Sequence, residues 1–326
     1  MKRVLLLACT ILLVWDAQAQ NRKQVADLSQ YKHYYNPSLT GFEGSVIRTL
    51  YRSQWTGFED APTTIVASAE LGLDSERIAT RFNGRGRNRG GVDLSSRHAL
   101  GITAFHDKFG PSKETQFALS YGSGIRLSEQ LTLRWGAALA YTFNSFDGNK
   151  LTLDQENDPR FQGILGQNNR SSRGDINLGV SLTNANYYLG YAMQDVTEGK
   201  LISAGDEFLS DLYARKHMVQ AGYRTNLSEQ WGLVTNGLYQ YDVMQKSTVG
   251  GQVKAVYQNT VWAGGGYRSN QAYNLTAGVR LNELRIAYAY ESPVQQAQYI
   301  GRSTNEIAIS YSLTSLKQRG YQLLIW

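Results

Sequence analysis

The sequence predicts an all-β chain folded as a single transmembrane antiparallel β-barrel of about 14 strands, with short periplasmic turns and longer outer loops. Three observations predict it: 32 glycines and 21 tyrosines beside only five prolines, apolar–polar alternation of period two in one segment after another, and no run of 18 apolar residues after the opening stretch. Alternation gives a strand one apolar and one polar face. A barrel hides its hydrophobicity in that way, so a polar overall composition is compatible with membrane insertion, whereas the lack of long apolar runs argues against membrane helices.

The chain opens with Lys2-Arg3, an uncharged run from Val4 to Trp15, and Ala17-Gln18-Ala19. This is the pattern of a secretory signal peptide spanning 1–19 and cleaved after Ala19. A lipoprotein reading through Leu6-Leu7-Ala8-Cys9 leaves only Val4 to Ala8 as an apolar core and ignores the apolar residues that follow. Cys9 is the single cysteine, so the processed chain has neither a disulfide framework nor a cysteine-ligated metal. Losing Lys2, Arg3 and Asp16 reduces 33 basic and 27 acidic residues to 31 and 26, a mildly basic balance.

Residues 20–43 precede the first strand and read as a periplasmic segment or plug: polar, with Tyr31, Tyr34 and Tyr35, and too irregular to span. Asn36, Pro37 and Gly41 are turn residues, since proline fixes its own φ and glycine accepts positive φ. Ser45 to Trp55 is rich in β-branched and aromatic residues, and Trp55-Thr56-Gly57 with Ala61-Pro62 supplies the next turn.

The barrel proper is expected over 44–313. Its clearest strand is Leu131 to Phe143, where Leu131, Leu133, Trp135, Ala137, Leu139, Tyr141 and Phe143 share one face, and Thr132, Arg134, Gly136, Ala138, Ala140 and Thr142 the other. The strands are expected at 44–55, 62–72, 97–107, 114–125, 131–143, 174–184, 186–194, 215–226, 231–241, 247–257, 260–268, 272–281, 283–291 and 304–313. Their second faces carry small and polar residues such as Asn177, Gly179, Ser181, Asn274 and Thr276, as a solvated lumen requires. Starting from the periplasm, parity places the brief connections 126–130, around Ala185, 227–230, 258–259 and 282 inside, and the long segments 144–173, 195–214 and 292–303 outside. Loop length and parity therefore support the same count.

One connection breaks this rule. Leu73 to Ser96 is long, lies on the periplasmic side by parity, and carries Arg77, Arg81, Arg85, Arg87 and Arg89 among glycines. A solvated basic insertion explains it, and contacts to phosphate or carboxylate groups are the functional alternative. Nucleic acid is not an expected partner, because no aromatic residue between Gly84 and Ala99 offers a stacking surface. At the other end, Glu306 to Leu313 alternates cleanly and should close the barrel. The tail 314–326 is then expected in the periplasm, with Leu323, Leu324, Ile325 and Trp326 as an exposed apolar patch of the sort that marks an interface.

Catalytic and metal-binding patterns are weak. His33, His98, His106 and His217 have no zinc-protease spacing, and no G-x-S-x-G occurs. His106-Asp107 near Ser112 is the only local hint of a hydrolytic triad, and a histidine beside a turn is more simply part of a polar girdle. Gly84-Arg85-Gly86 with Gly90 lacks the lysine and apolar helix of a nucleotide loop. Asp154, Glu156 and Asp158 lack the glycine and final glutamate of a calcium loop. No enzyme activity and no cofactor are expected.

The order of several short blocks is more specific. Tyr35-Asn36-Pro37-Ser38-Leu39-Thr40-Gly41, Tyr51-Arg52-Ser53-Gln54-Trp55 with Ala61-Pro62, and His106-Asp107-Lys108-Phe109-Gly110-Pro111 stand in that order. Tyr141 to Phe161, Ala221 to Arg224, Gly266 to Arg268 and Ile286 to Tyr290 follow. Together they resemble the PorP/SprF family of type IX secretion-associated outer-membrane proteins over roughly residues 24–313. Departures are Ser38-Leu39-Thr40 where the family commonly has Ala-Tyr-Ala, the arginine-rich segment, and a closing strand ending in Leu313 rather than an aromatic.

The resemblance implies a barrel embedded in outer-membrane lipid that works with periplasmic and inner-membrane components of the type IX machinery. It would export, retain or anchor secreted proteins bearing a C-terminal sorting domain, gliding adhesins among them. It makes Tyr35, Asn36, Pro37, Gly41, Tyr51, Arg52, Gln54, Trp55, Pro62, Asp107, Gly110 and Pro111 candidates for family-motif or partner-contact roles. The competing expectation is a diffusive porin or a transporter of hydrophobic solutes, in which the lumen itself is the functional site.

Overall fold

The computed structural model describes residues 25–58, 60–73, 95–150, 168–205, 214–242, 247–269, 271–294, 302–314 and 323–326. The strands are β1 (Val46–Ser53), β2 (Thr63–Gly72), β3 (His98–Phe109), β4 (Ser112–Arg126), β5 (Thr132–Asp147), β6 (Asn168–Thr183), β7 (Tyr187–Gln194) and β8 (Ile202–Gly205). They continue as β9 (Lys216–Asn226), β10 (Trp231–Asp242), β11 (Thr248–Tyr257), β12 (Val261–Arg268), β13 (Ala272–Leu281), β14 (Leu284–Pro293) and β15 (Thr304–Ser312). All pairings are antiparallel, and β1 closes on β15 from Val46↔Ser312 to Ser53↔Asn305. Without β8, which pairs only with β6, the wall is a closed barrel of 14 strands.

Alternation decides which way each side chain points. On β5, Trp135 and Leu139 are exposed on the outer face while Arg134 and Ala138 are buried within. The same division holds for Ile102 against Thr103 and for Tyr223 against Arg224. The outer face is thus a continuous apolar surface suited to lipid, and the short connections gather at one end, as parity requires. Two of these connections share one sequence, Leu-Ser-Glu-Gln, at 127–130 and 227–230, and fold identically. In each, the serine hydroxyl accepts from the amides two and three residues on, and the leucine and serine amides donate to the carbonyl of Leu131 or Trp231. Gln258 and Asn259 both have positive φ, the twist that a two-residue hairpin needs.

Three expectations are corrected. The long outer segment expected at 144–173 is partly wall, because β5 runs on to Asp147 and β6 begins at Asn168. Apart from Phe146 these extensions are polar, so hydropathy does not mark them, and the ladder from Asn144↔Ser171 to Asp147↔Asn168 holds them instead. The segment expected as a loop at 195–214 contains β8. The lumen is not simply solvated: residues 25–45 pack within it, against the small and polar faces of the wall. The arginines of 77–89 and the acidic residues 154–158 lie outside the described residues.

Candidate functional site

The candidate site is the filled lumen and the two rims that remain accessible around it. Residues 25–45 are irregular apart from one helical turn, α1 (Lys32–Tyr35), and a 3-10 turn at Pro37–Leu39. Asn36 caps the 3-10 turn, accepting from the Ser38 amide at 3.0 Å and the Ser38 hydroxyl at 2.7 Å, and proline at the next position fits a helix start. The wall makes room for this turn with glycine. A Cβ on Gly179 would lie 2.0 Å from Asn36 Oδ1, and one on Gly136 would lie 2.3 Å from the Pro37 carbonyl oxygen. Gly41 closes the motif at φ +72°, a left-handed conformation that favours glycine.

Arg134 of β5 is fully buried and holds the motif from the wall. Its guanidinium donates to the carbonyls of Ser38 at 2.9 Å, Thr40 at 2.7 Å and Ser96 at 2.8 Å. Gln194 of β7 donates to the Tyr34 carbonyl at 2.6 Å, and the Gly41 amide donates to Glu70 at 2.8 Å. The Tyr35 hydroxyl accepts from the Val25 amide at 3.0 Å, tying the segment to itself.

Ion pairs link the same segment to distant strands. Glu43 meets Lys32 at 2.5 Å, Arg48 of β1 at 3.3 Å and Arg285 of β14 at 3.2 Å. Glu70 of β2 pairs with Arg48 and lies 3.1 Å from His33, whose other ring nitrogen is 3.1 Å from the Thr103 hydroxyl. Lys254 of β11 donates to Asp27 at 2.6 Å and to the Ser29 hydroxyl at 2.5 Å. Glu306 accepts from the Ala26 amide and pairs with Arg52, which also meets Glu291. Burial opposes the charge on Glu43, but the three surrounding cations outweigh it and hold the carboxyl well below its ordinary range.

Residues 323–326 fill the short-connection end of the lumen. Trp326 packs its ring 5.3 Å from those of Phe42 and Tyr188, with the Arg224 guanidinium 4.2 Å above it. Leu323 lies against Gly232, and the Leu324 amide donates to Asn259 at 2.9 Å. This corrects the expectation of an exposed apolar patch, since Leu323, Leu324, Ile325 and Trp326 are all buried. The physical reason is that apolar side chains leave water wherever an apolar surface is within reach, and Phe42, Tyr188, Val234 and Trp262 provide one inside the barrel. A cavity of about 570 Å³ remains at this rim, lined by residues of the 226–232 and 258–260 turns and by Leu323.

The structure divides the sequence-derived candidates into three groups. Tyr35, Asn36, Pro37 and Gly41 form the buried turn, and Arg52 and Asp107 face inward from the wall. Tyr51 faces outward toward lipid. Gln54, Trp55, Pro62, Gly110 and Pro111 gather at the long-loop rim, where Trp55 packs edge-on against Phe109 at 5.3 Å. His106 and Asp107 do not converge. His106 points outward to the Thr115 hydroxyl at 2.8 Å, whereas Asp107 points inward and accepts from Thr64 at 2.6 Å, as neighbours on a strand must. Sequence reasoning missed Arg134, Glu70, Glu43 and Lys254. For Arg134, Glu70 and Lys254 the available signal was charge at inward-facing strand positions, which a merely wet lumen does not need.

A closed barrel with an apolar outer surface and a polar, packed interior is an integral protein of the outer membrane. The chain belongs to the family described as type IX secretion system membrane protein PorP/SprF, whose sequence model matches residues 17–311. Among curated proteins none matches this chain. Among solved structures it is similar to the toluene transporter TbuX of Ralstonia pickettii, at 9% identity over 86% of this chain and 93% of that one, with a TM-score of 0.45. It is also similar to the outer membrane protein Omp33 of Acinetobacter baumannii (6% identity, 82% and 96% covered, TM-score 0.45) and to the monoaromatic hydrocarbon channel CymD (12%, 88% and 92%, TM-score 0.49).

Proposed function

We propose that this barrel receives a secreted protein bearing a C-terminal sorting domain, a gliding adhesin being one such client, and exports or anchors it at the cell surface. It does so together with the periplasmic and inner-membrane parts of the type IX machinery. The family match over 17–311 supports this reading, and the observation that carries it is the filled lumen. Residues 25–45 and 323–326 occupy the interior through charge pairs and apolar contacts, leaving the rims as the working surfaces. On this reading the short-turn end faces the periplasm, the long-loop end carrying Gln54, Trp55, Pro62, Gly110 and Pro111 faces outward, and residues 1–19 are removed on export.

A tagged barrel recovered from its native outer membrane should bring down a protein with a C-terminal sorting domain. In a planar bilayer, the purified barrel should show no steady conductance. Steady conductance without a bound partner would favour the porin or solute-transporter reading instead.

A further inference from the structure

The outer face of the barrel is uneven at its long-loop end. On β10, β12, β13 and β14 the outward positions near that end are aromatic, with Tyr241, Tyr267, Tyr273 and Tyr290 all exposed. Rings of this kind form the girdle at a membrane interface. On β3 to β6 the same level is basic instead. The register sets Lys108 opposite Lys113, Lys113 opposite Ser145, and Ser145 opposite Arg170. Residues directly opposite each other in antiparallel strands share a face, and this face is the outward one: Lys113 and Arg170 are exposed, and the Lys108 side chain is 40% accessible. The next outward row toward the membrane middle is His106, Thr115, Phe143 and Ser172, and the one after it includes Phe117 and Tyr141. The cations therefore stand immediately above the apolar surface.

Like charges directly opposite each other destabilise a sheet, and the β3–β4 ladder holds Lys108 and Lys113 in that arrangement. No acid lies in the row itself. Asp60, itself about half exposed, is 3.8 Å from Lys108, and Asp147, which follows Ser145 on the same face, accepts from the amide and side chain of Asn149 at 3.2 and 3.1 Å. An anion seated between the two ammonium groups relieves their repulsion. Lysines that merely reach up from the bilayer to water suit any part of a rim, whereas these are confined to one sector. Lys108 and Arg170 are three strand spacings apart, about 14 Å, a span wider than a single phosphate.

We propose that Lys108, Lys113, Ser145 and Arg170 bind a lipid of the outer leaflet whose headgroup carries two phosphates, one seated between the lysines and the other on Arg170. The planar fork of arginine suits a phosphate, and lysine meets one as a point charge. The acyl chains then lie along Phe117, Leu119 and Leu139, which are exposed below the row. The proposal rests on the reading that the long-loop end faces outward, and on no particular client.

The test uses the full chain in detergent, with lipid A, a glycolipid bearing two phosphates, and its dephosphorylated form as probes, counted on the barrel by native mass spectrometry. The unaltered barrel should retain the phosphorylated form tenfold or more in preference. Lys108→Gln with Lys113→Gln should abolish that preference, and Arg170→Gln should weaken it about threefold. Lys200→Gln, which removes a charge elsewhere at the same end, should leave it intact. Without lipid, the double variant should melt no lower than the unaltered barrel, because the repulsion between the lysines is gone. Equal retention of the two lipids by the unaltered barrel, or equal weakening by Lys200→Gln, overturns the proposal. A double variant that melts lower without lipid overturns it too, and so does displacement of the lipid by millimolar inorganic phosphate, which would assign the row to a free anion. Labelling of Asn149→Cys on intact cells by a membrane-impermeant maleimide checks the orientation separately, and no labelling overturns both that reading and this proposal.

Discussion

Two parts of the chain occupy the same lumen by different physics. Residues 25–45 bury Leu28, Tyr31, Tyr35, Leu39 and Phe42 but are also held by charge: Arg134 on the Ser38 and Thr40 carbonyls, Glu43 among three cations, and Lys254 on Asp27. Residues 323–326 are held mainly by apolar burial, with Trp326 boxed by Phe42, Tyr188 and Arg224. The contrast has consequences. A polar contact requires its partner and fails sharply when one half is removed, whereas an apolar contact loses energy in proportion to the area uncovered and is indifferent to protonation. The first segment is therefore specified residue by residue, and the second by bulk.

The largest expected effect comes from breaking the polar set at Arg134. Arg134→Ala leaves the carbonyls of Ser38, Thr40 and Ser96 without their buried donor and should cost about 4 kcal/mol of docking for residues 36–41. Faster amide exchange in that turn, with the strand amides unchanged, is the expected readout. Unchanged exchange would show that the wall glycines alone hold the turn.

Trp326→Ala comes next, at about 3 kcal/mol for removing a buried indole. Tryptophan fluorescence and protease access to 323–326 measure it, and the loss should not vary between pH 3.5 and 7. A pH-dependent loss would tie the contact to a carboxyl that titrates in this range, such as Glu43, whose partner Lys32 lies 5.1 Å from the ring.

On the outer face, Leu139→Arg near the middle of the membrane should destabilise the barrel by about 2 to 4 kcal/mol. Ala138→Arg points into the packed lumen instead, so it should displace residues 25–45 while leaving the barrel heat-modifiable. Equal loss of the whole barrel in both variants would contradict the alternation that separates lipid from lumen.

The smallest effect is acid-dependent. The folded pKa of Glu43 lies below the ordinary carboxyl value of 4.5, so its contribution is complete above that value and is lost as the pH falls toward the folded value. Lowering the pH to 3.5 should cost about 1.4 kcal/mol of docking through this group. Glu43→Gln should abolish that dependence, and a variant with an unaltered acid profile would assign it elsewhere.

The wall was legible because alternation is a local property: Leu131 to Phe143 announces its two faces without reference to any other residue. The extensions Asn144–Asp147 and Asn168–Arg173 were not legible, since apart from Phe146 they are polar and are held by main-chain pairing with each other and with β4 and β8. The buried turn was visible as a turn, through Asn36, Pro37 and Gly41, but its receptor was not. Arg134 and Glu70 looked like ordinary lumen polarity until the fold set them against the Ser38 carbonyl and the Gly41 amide. The apolar tail was misplaced for a related reason. Its partners are isolated inward aromatics such as Tyr188 and Trp262, and an aromatic residue on the otherwise polar phase of a strand was the overlooked sign.

The seam between β1 and β15 also sets the order of assembly. Arg52 and Glu306 meet across it at a sequence separation of 254, so this pairing has the highest closure entropy in the wall and forms slowly relative to the hairpins. Residues 25–45 lead directly into β1, one of the two strands of that seam. Filling the interior and sealing it are thus coupled: a nascent barrel that zipped shut first would have to thread this segment through a finished ring. The ion pair of Glu43 with Arg48, the contact of His33 with Glu70 and the hydrogen bond from the Ala26 amide to Glu306, at the seam strands and their neighbour, give the assembling chain a reason to gather its contents before it closes.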